Sequence, residues 1–354
     1  RPNWAGCTVA MGPSCLRGTR EALRGGPGQP GGSQSGMTSD APATSLDAAA
    51  RVGAAVQSVI VGKPATVQLA LTVLLAGGHL LVEDVPGVGK TMLAKSLARS
   101  LGCSVRRIQF TPDLLPGDVV GVSIFNRETR DFEFKPGAVF ANIIVGDEIN
   151  RASPKTQSAL LECMEEGQVT VDGTTYLLGR PFMVIATQNP AEMEGTYPLP
   201  EAQRDRFMAR VRMGYPDRTS EIAMLQAHGA HDPLEAVQPV TDAAEVRDMI
   251  DAVRRVYVAP AIDAYVVDLV SATRSHALVR LGASPRAALH LLRASRASAA
   301  LAGRGHVLPD DVQRLAPSVL AHRLVLSTDA HLSRTTQEDV VTDIVARVPL
   351  PASA

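Results

Sequence analysis

Residues 80–91 read Leu80-Leu81-Val82-Glu83-Asp84-Val85-Pro86-Gly87-Val88-Gly89-Lys90-Thr91, and the rest of the chain is organised around them. A short apolar run enters a Gly/Pro turn ending in Gly-Lys-Thr, and helical spacing follows over 92–101. The pattern predicts a strand, an anion-cradling loop and a helix N-terminus. Gly87 and Gly89 let backbone N–H groups face an anion with no Cβ in the way. The helix terminus adds partial positive charge. Lys90 is placed to reach terminal phosphates, and the Thr91 hydroxyl to reach magnesium. Asp84 stands where the strict phosphate-loop motif has glycine. An ordinary Gly-rich turn looks the same in isolation, so partners further along the chain decide the matter.

Those partners follow in order. Residues 143–148, Ile-Ile-Val-Gly-Asp-Glu, form a continuous apolar run ending in two acids. Asp147 suits Mg²⁺ held through water, and the Glu148 carboxylate suits taking a proton from an attacking water. Ser153-Pro154 then opens a helix as N-cap and first-turn proline. On that helix Cys163 falls on the inward face and is expected to be a core residue. A further apolar strand at 182–186 ends in Thr187-Gln188-Asn189-Pro190, where the Asn189 amide is suited to orienting a water. A short helix is expected over 199–207 and a last strand over 209–213.

Continuous apolar strands alternating with helices predict an α/β fold: a mostly parallel sheet covered on both faces. Ligands bind such sheets outside the strand carboxyl ends, where the loop, Asp147, Glu148 and Asn189 are all expected. Alternation around a polar turn at 126–130 predicts a β-hairpin over about 118–137, and Asp172-Gly173 predicts a second over 168–178. Arg204, Asp205 and Arg206 close the short helix. One arginine there can pair with Asp205 on the surface, while Arg204 or Arg206 suits a finger offered to a neighbouring subunit's nucleotide. Arg286 follows Ser284-Pro285 at a helix start, where a cation is disfavoured by roughly 0.3–1 kcal/mol unless an anion binds beside it. It is expected to reach from the helical domain to the nucleotide.

The organisation is a tail at 1–44 expected to be disordered, a core at 45–227, a small helical domain at 228–349 and a short C-terminal tail at 350–354. Residues 25–36 are rich in Gly, Pro, Ser and Gln, and Met37 is the expected true start. The 354 residues carry 45% hydrophobic and 20% charged side chains and a net charge of −1. No global field recruits nucleic acid or an anionic membrane. The longest apolar stretch, at 70–82, is interrupted by Gly77-Gly78-His79 and is too short to span a bilayer. No secretory signal is expected. The four cysteines, Cys7, Cys15, Cys103 and Cys163, form no Cys-x-x-Cys pair, which fits a cytoplasmic setting.

Taken together, the loop, Gly146-Asp147-Glu148-Ile149-Asn150-Arg151-Ala152-Ser153-Pro154-Lys155-Thr156-Gln157, Ala186-Thr187-Gln188-Asn189-Pro190, Pro200-Glu201-Ala202-Gln203-Arg204-Asp205-Arg206-Phe207 and Gly282-Ala283-Ser284-Pro285-Arg286 closely resemble the MoxR family of AAA+ ATPases. The resemblance runs from about residue 45 to 345. It implies an AAA+ core with two hairpin inserts, a helical lid, and a ring of copies, usually a hexamer. It implies ATP and Mg²⁺ as cofactors, with Asp84, Val85, Pro86, Gly87, Val88, Gly89, Lys90, Thr91 and Met92 around the nucleotide. Thr91 and Asp147 become the metal residues, and Glu148, Asn189 and Arg206 the catalytic ones, with Arg286 as a second sensor. It implies chaperone-like remodelling of protein clients with a von Willebrand factor A domain partner. A magnesium-chelatase-like motor, a nucleic-acid motor and a non-hydrolysing scaffold are the competing functions. The near-neutral charge and lack of a basic run argue against the nucleic-acid motor, and the full set Lys90, Asp147, Glu148 and Arg206 argues against the scaffold.

Overall fold

The computed structural model describes residues 41–84, 87–189, 196–228 and 233–351. The expected start at Met37 and most of the expected N-terminal tail lie outside the described residues, as do loop positions Val85 and Pro86. Helix α1 (Ala41–Gln57) begins ahead of the expected boundary, and α2 (Pro64–Leu75) follows with Pro64 in its first turn. Strand β1 (Leu80–Glu83) leads through the loop to α3 (Lys90–Ser100) and β2 (Val105–Gln109). A one-turn helix, α4 (Pro116–Val120), opens the first hairpin, β3 (Gly121–Asn126) and β4 (Asp131–Pro136). The strand therefore starts later than the expected 118: Pro116 suits a helix N-terminus, and Val120 belongs to the helix.

Strand β5 (Ile143–Asp147) passes through a short 3₁₀ turn into α5 (Pro154–Glu166), whose N-cap Ser153 accepts from the Thr156 amide. The second hairpin is β6 (Gln168–Val171) and β7 (Thr174–Leu177), turning at Asp172-Gly173 with φ of 49° and 78°. These left-handed values are what a tight hairpin turn demands. After β8 (Met183–Gln188) come α6 (Glu201–Arg204), β9 (Ala209–Val211) and α7 (Arg218–His228). Both α6 and β9 are shorter than expected over 199–207 and 209–213.

Strands β2, β5, β8, β1 and β9 lie side by side in that order, all parallel. Both faces of the central strands are buried, so odd and even residues feed two separate cores. Leu80, Val82, Ile143 and Val145 join the helices of one face, while Leu81, Ile144 and Val184 join α5 and the hairpins on the other. A Cβ at Gly146 would stand 3.1 Å from the Phe110 ring, tighter than an ordinary contact, so glycine lets β5 and that ring pack closely. Among the described residues no helix is long and apolar enough to cross a membrane.

The second part comprises α8 (Pro233–Ala236), α9 (Ala243–Arg254), α10 (Pro260–Ser275), β10 (Val279–Leu281), α11 (Pro285–Leu301), α12 (Pro309–Leu320), β11 (Val325–Leu326), α13 (Thr328–Leu332) and α14 (Gln337–Arg347). It is a helical lid, with one antiparallel pair, β10–β11, that helical periodicity does not predict. The short helix α8 stands at the start of this part. The lid seats on the start of β9: His322 Nε2 lies 3.1 Å from the Phe207 carbonyl, and Arg323 donates to the same oxygen at 2.6 Å. Arg210 of β9 bridges Glu83 of β1 and Glu338 of α14 at 2.8 and 2.7 Å. A buried guanidinium needs that much pairing.

Candidate active site

The loop after β1 is tied down by the residue that departs from the strict motif. Asp84 Oδ2 accepts from the Gly214 amide at 2.6 Å, and its carbonyl accepts from Lys90 Nζ at 2.8 Å. Gly87 and Gly89 hold φ of 85° and 88°. The sequence therefore demands glycine for backbone conformation as well as for close approach to an anion. Gly89 is the N-cap of α3, so Lys90 and Thr91 occupy its first turn.

Parallel register brings the acids to the same edge. Gln109 pairs with Asp147, Gly146 with Ala186, and Glu83 with Gln188. Asp147 is buried, and its Oδ2 accepts from Thr91 Oγ1 at 3.3 Å and from Arg107 Nε at 2.6 Å. Its Oδ1 accepts from Thr187 Oγ1 at 3.4 Å. Glu148 adopts φ 57°, a left-handed conformation uncommon for a residue with a Cβ. That turn aims its carboxylate at Gln109 Nε2, 2.9 Å away, and Arg151, 3.1 Å away, while its amide donates to Thr187 Oγ1 at 3.0 Å. Asn189 follows β8 directly and is buried. Lys90, Thr91, Asp147, Glu148 and Asn189 thus gather outside the strand carboxyl ends.

A hydroxyl and one carboxylate, side by side, fit a hard octahedral cation that keeps its waters and takes other ligands from phosphate. Among the described residues no cluster of three or more His, Cys, Asp or Glu side chains could hold a metal ion.

Sequence reasoning misses several residues of this edge. Arg107, Gln109 and Thr187 hold Asp147 and Glu148, but only strand order reveals it. Beside the loop lies a cavity of about 370 Å³ lined by Val59, Ile60, Val88, Met92, Met213 and Tyr215, among others. It is mostly apolar, as suits a planar base. A signal was present in the turn Val61-Gly62-Lys63-Pro64, where Lys63 lines the cavity and its Nζ donates to the Tyr215 carbonyl at 2.8 Å.

The two arginines lie elsewhere. Arg206 precedes β9 and Arg286 opens α11, and both meet Glu165 near the end of α5. They line a cavity with Gly77, Gly78 and His79, which precede β1, whereas the phosphate loop follows that strand's carboxyl end. Arg286 therefore does not reach this subunit's own loop. The anion beside it is Glu165. Asp205 likewise does not pair with a neighbouring arginine. Its partner is Arg323, whose Nε donates at 2.7 Å, and Ser284 Oγ also donates to it. Cys163 is buried, and burial pushes its thiol up to about 12, as a core residue should show.

With this geometry in view, the family described as "ATPase family associated with various cellular activities (AAA)" matches residues 79–209, and an AAA lid domain matches 271–344. The chain is 50% identical over 296 residues to YeaC of Bacillus subtilis, an uncharacterised protein, covering 84% of this chain and 92% of that one. It is 41% identical over 305 residues to chaperone MoxR1 of Mycobacterium tuberculosis, covering 84% and 80%. To protein MoxR of Methylorubrum extorquens it is 32% identical over 330 residues, covering 86% and 96%. Among solved structures, an ATPase-assigned protein from Cytophaga hutchinsonii superposes with a TM-score of 0.81 at 38% identity, covering 87% of this chain and 96% of that one.

Proposed function

Because this chain belongs to the MoxR family of AAA+ ATPases, we propose that it hydrolyses ATP with Mg²⁺ in a ring of its own copies, hexameric in the usual case, and uses the turnover to remodel protein clients. The observation that carries this is a division of the catalytic set between two edges of one sheet. Lys90, Thr91, Asp147, Glu148 and Asn189 gather at the carboxyl edge, while Arg206 and Arg286 present themselves at the amino edge. A site divided in this way is incomplete without a second copy.

The roles follow from the donors and acceptors. Lys90 exchanges the Asp84 carbonyl for the β- and γ-phosphates. Thr91 and Asp147 hold Mg²⁺, which when bound neutralises charge on the phosphate oxygens. Glu148 accepts a proton from the attacking water, and the Gln109 and Arg151 donors keep its carboxylate on that side. Asn189 orients the water. Arg206, from the neighbouring copy, stabilises charge as the phosphoryl group transfers, an effect of roughly 10³–10⁵ in rate. The apolar cavity beside the loop takes the base.

Client remodelling, a von Willebrand factor A domain partner and a cytoplasmic location rest on the family and on the chaperone name of the mycobacterial relative. The chain's own support is the exposed apolar tip of the first hairpin, where Phe125 and Phe132 meet edge to face at 5.4 Å.

Glu148→Gln is expected to keep ATP affinity and lose at least about a hundredfold in turnover, a change that steady-state phosphate release measures. Turnover near the wild-type rate would remove Glu148 from its role. Mixing Arg206→Ala with Lys90→Ala subunits is expected to restore activity that neither has alone. Mixed rings that stay inactive count against a finger acting between copies. Glu148→Gln held in ATP is also the bait of choice for capturing clients.

A further inference from the structure

A polar cavity of about 280 Å³ lies at the amino edge of the sheet, away from the phosphate loop. Arg206, Arg286 and Arg293 line it with a single carboxylate, Glu165. The two imidazoles present add no charge at neutral pH: burial lowers His79 to about 4, and burial, then the charge of Arg323, lowers His290 to about 2. Three positive charges thus face one negative charge.

Glu165 is divided between two partners. One oxygen accepts from Arg286, and the other lies 3.2 Å from Arg206. Arg206 also donates to the Leu161 carbonyl, so its guanidinium has an anchor independent of Glu165. Arg293, two turns beyond Arg286 on α11, is exposed and makes no hydrogen bond or ion pair among the described residues. A carboxylate bridging two guanidiniums occupies donor positions that match a phosphate oxyanion equally well. Its side chain is 34% exposed, so it can be displaced from solvent.

We propose that Glu165 is a built-in stand-in for a phosphate oxyanion: it holds Arg206 and Arg286 together until the terminal phosphate of a nucleotide on the neighbouring copy takes its place, with Arg293 as the third cation of that site. This rests on the two-edged ring proposed above. A terminal phosphate carries more charge than a carboxylate and offers an oxygen to each guanidinium. The displaced Glu165 turns to solvent, and an arginine pair not yet facing a nucleotide stays neutralised and in register.

Steady-state ATPase of the full chain against ATP concentration tests this with Glu165→Gln, Arg293→Gln and Arg206→Ala. Removing the competing charge in Glu165→Gln is expected to lower KM for ATP by roughly threefold or more without lowering kcat, because less of the arginine pair is held in the closed arrangement. Arg293→Gln is expected to raise KM by a similar factor in the wild-type and Glu165→Gln backgrounds alike. If Glu165→Gln leaves KM unchanged, or loses turnover as Arg206→Ala does, Glu165 is only a structural bridge and the proposal is overturned. If Arg206→Ala turns over at the wild-type rate, the ring reading fails as well, so the two failures are distinguishable. Calorimetry with inorganic tripolyphosphate provides a readout free of catalysis. In a Lys90→Ala background, which removes the loop site, adding Glu165→Gln is expected to tighten binding. Equal affinity overturns the proposal.

Discussion

Asp205 shows what a single residue can conceal. In the string Arg204-Asp205-Arg206 it has a cation on each side, and a local surface pair is the natural inference. Its actual partner is Arg323, whose side chain is 2% exposed and lies 118 positions away. Arg323 also donates to the Phe207 and Met208 carbonyls and to His290 Nδ1, so one guanidinium joins the lid to the segment that runs from Arg206 into β9. Burial lowers Arg323 to about 10, which leaves it charged at neutral pH. Arg323→Ala strands a part-buried carboxylate and is expected to cost about 3–5 kcal/mol. Arg323→Lys recovers only part, since an ammonium cannot reproduce the fork. Urea unfolding followed by circular dichroism measures both, and a loss under about 1 kcal/mol for the alanine variant would contradict the pairing's importance. Glu148 and Asn189 were legible because each ends an apolar strand. Gln109, Arg107 and Thr187 were not, because their importance lies in which strands sit beside them.

The two hairpins are elements that sequence alternation finds, yet their relationship to each other is not in that alternation. Tyr176 of β7 stacks on Phe134 of β4 with ring centroids 3.9 Å apart and planes 15° from parallel. Phe134 also meets Phe140 edge to face at 5.6 Å. The second hairpin lies between α5, which carries Glu165, and β8, which Asn189 follows. The ring stack therefore joins the second hairpin, which leads into β8, to the hairpin with the exposed aromatic tip. Such a pair contributes about 0.5–1.5 kcal/mol. Tyr176→Ala is accordingly expected to speed amide exchange in residues 121–136 by roughly two- to tenfold, leaving the parallel sheet unchanged. Unaltered exchange in that hairpin would mean the contact carries no coupling.

For the molecule as a whole, stability is expected to depend on pH through His79. It is buried where β1 begins: Nε2 lies 2.9 Å from the Met164 carbonyl, and Nδ1 accepts from the Val184 amide at 3.0 Å. That arrangement requires a neutral ring protonated on Nε2. Burial lowers the group from 6.5 to about 4, so on acidification the unfolded chain takes up the proton first. The stabilisation is complete above pH 6.5 and is lost as pH falls towards 4, by about 2 kcal/mol at pH 5. The buried His322 is lowered in the same direction. Urea midpoints at pH 7.5 and 5.0 measure the loss, and His79→Gln should flatten the difference. An identical pH response in that variant would assign it elsewhere. The strand–loop–helix, the acidic strand end, the hairpins and the helix starts all follow from neighbours a few positions apart, where dihedral preference, capping and alternation act directly, so the amino-acid order alone specified them. The apolar cavity beside the loop, the clamp on Glu148, the lid's seat on β9 and the grouping of Arg206 with Arg286 on Glu165 join residues far apart in the chain. Strand order and lid docking create those contacts, and packing of the two cores settles both.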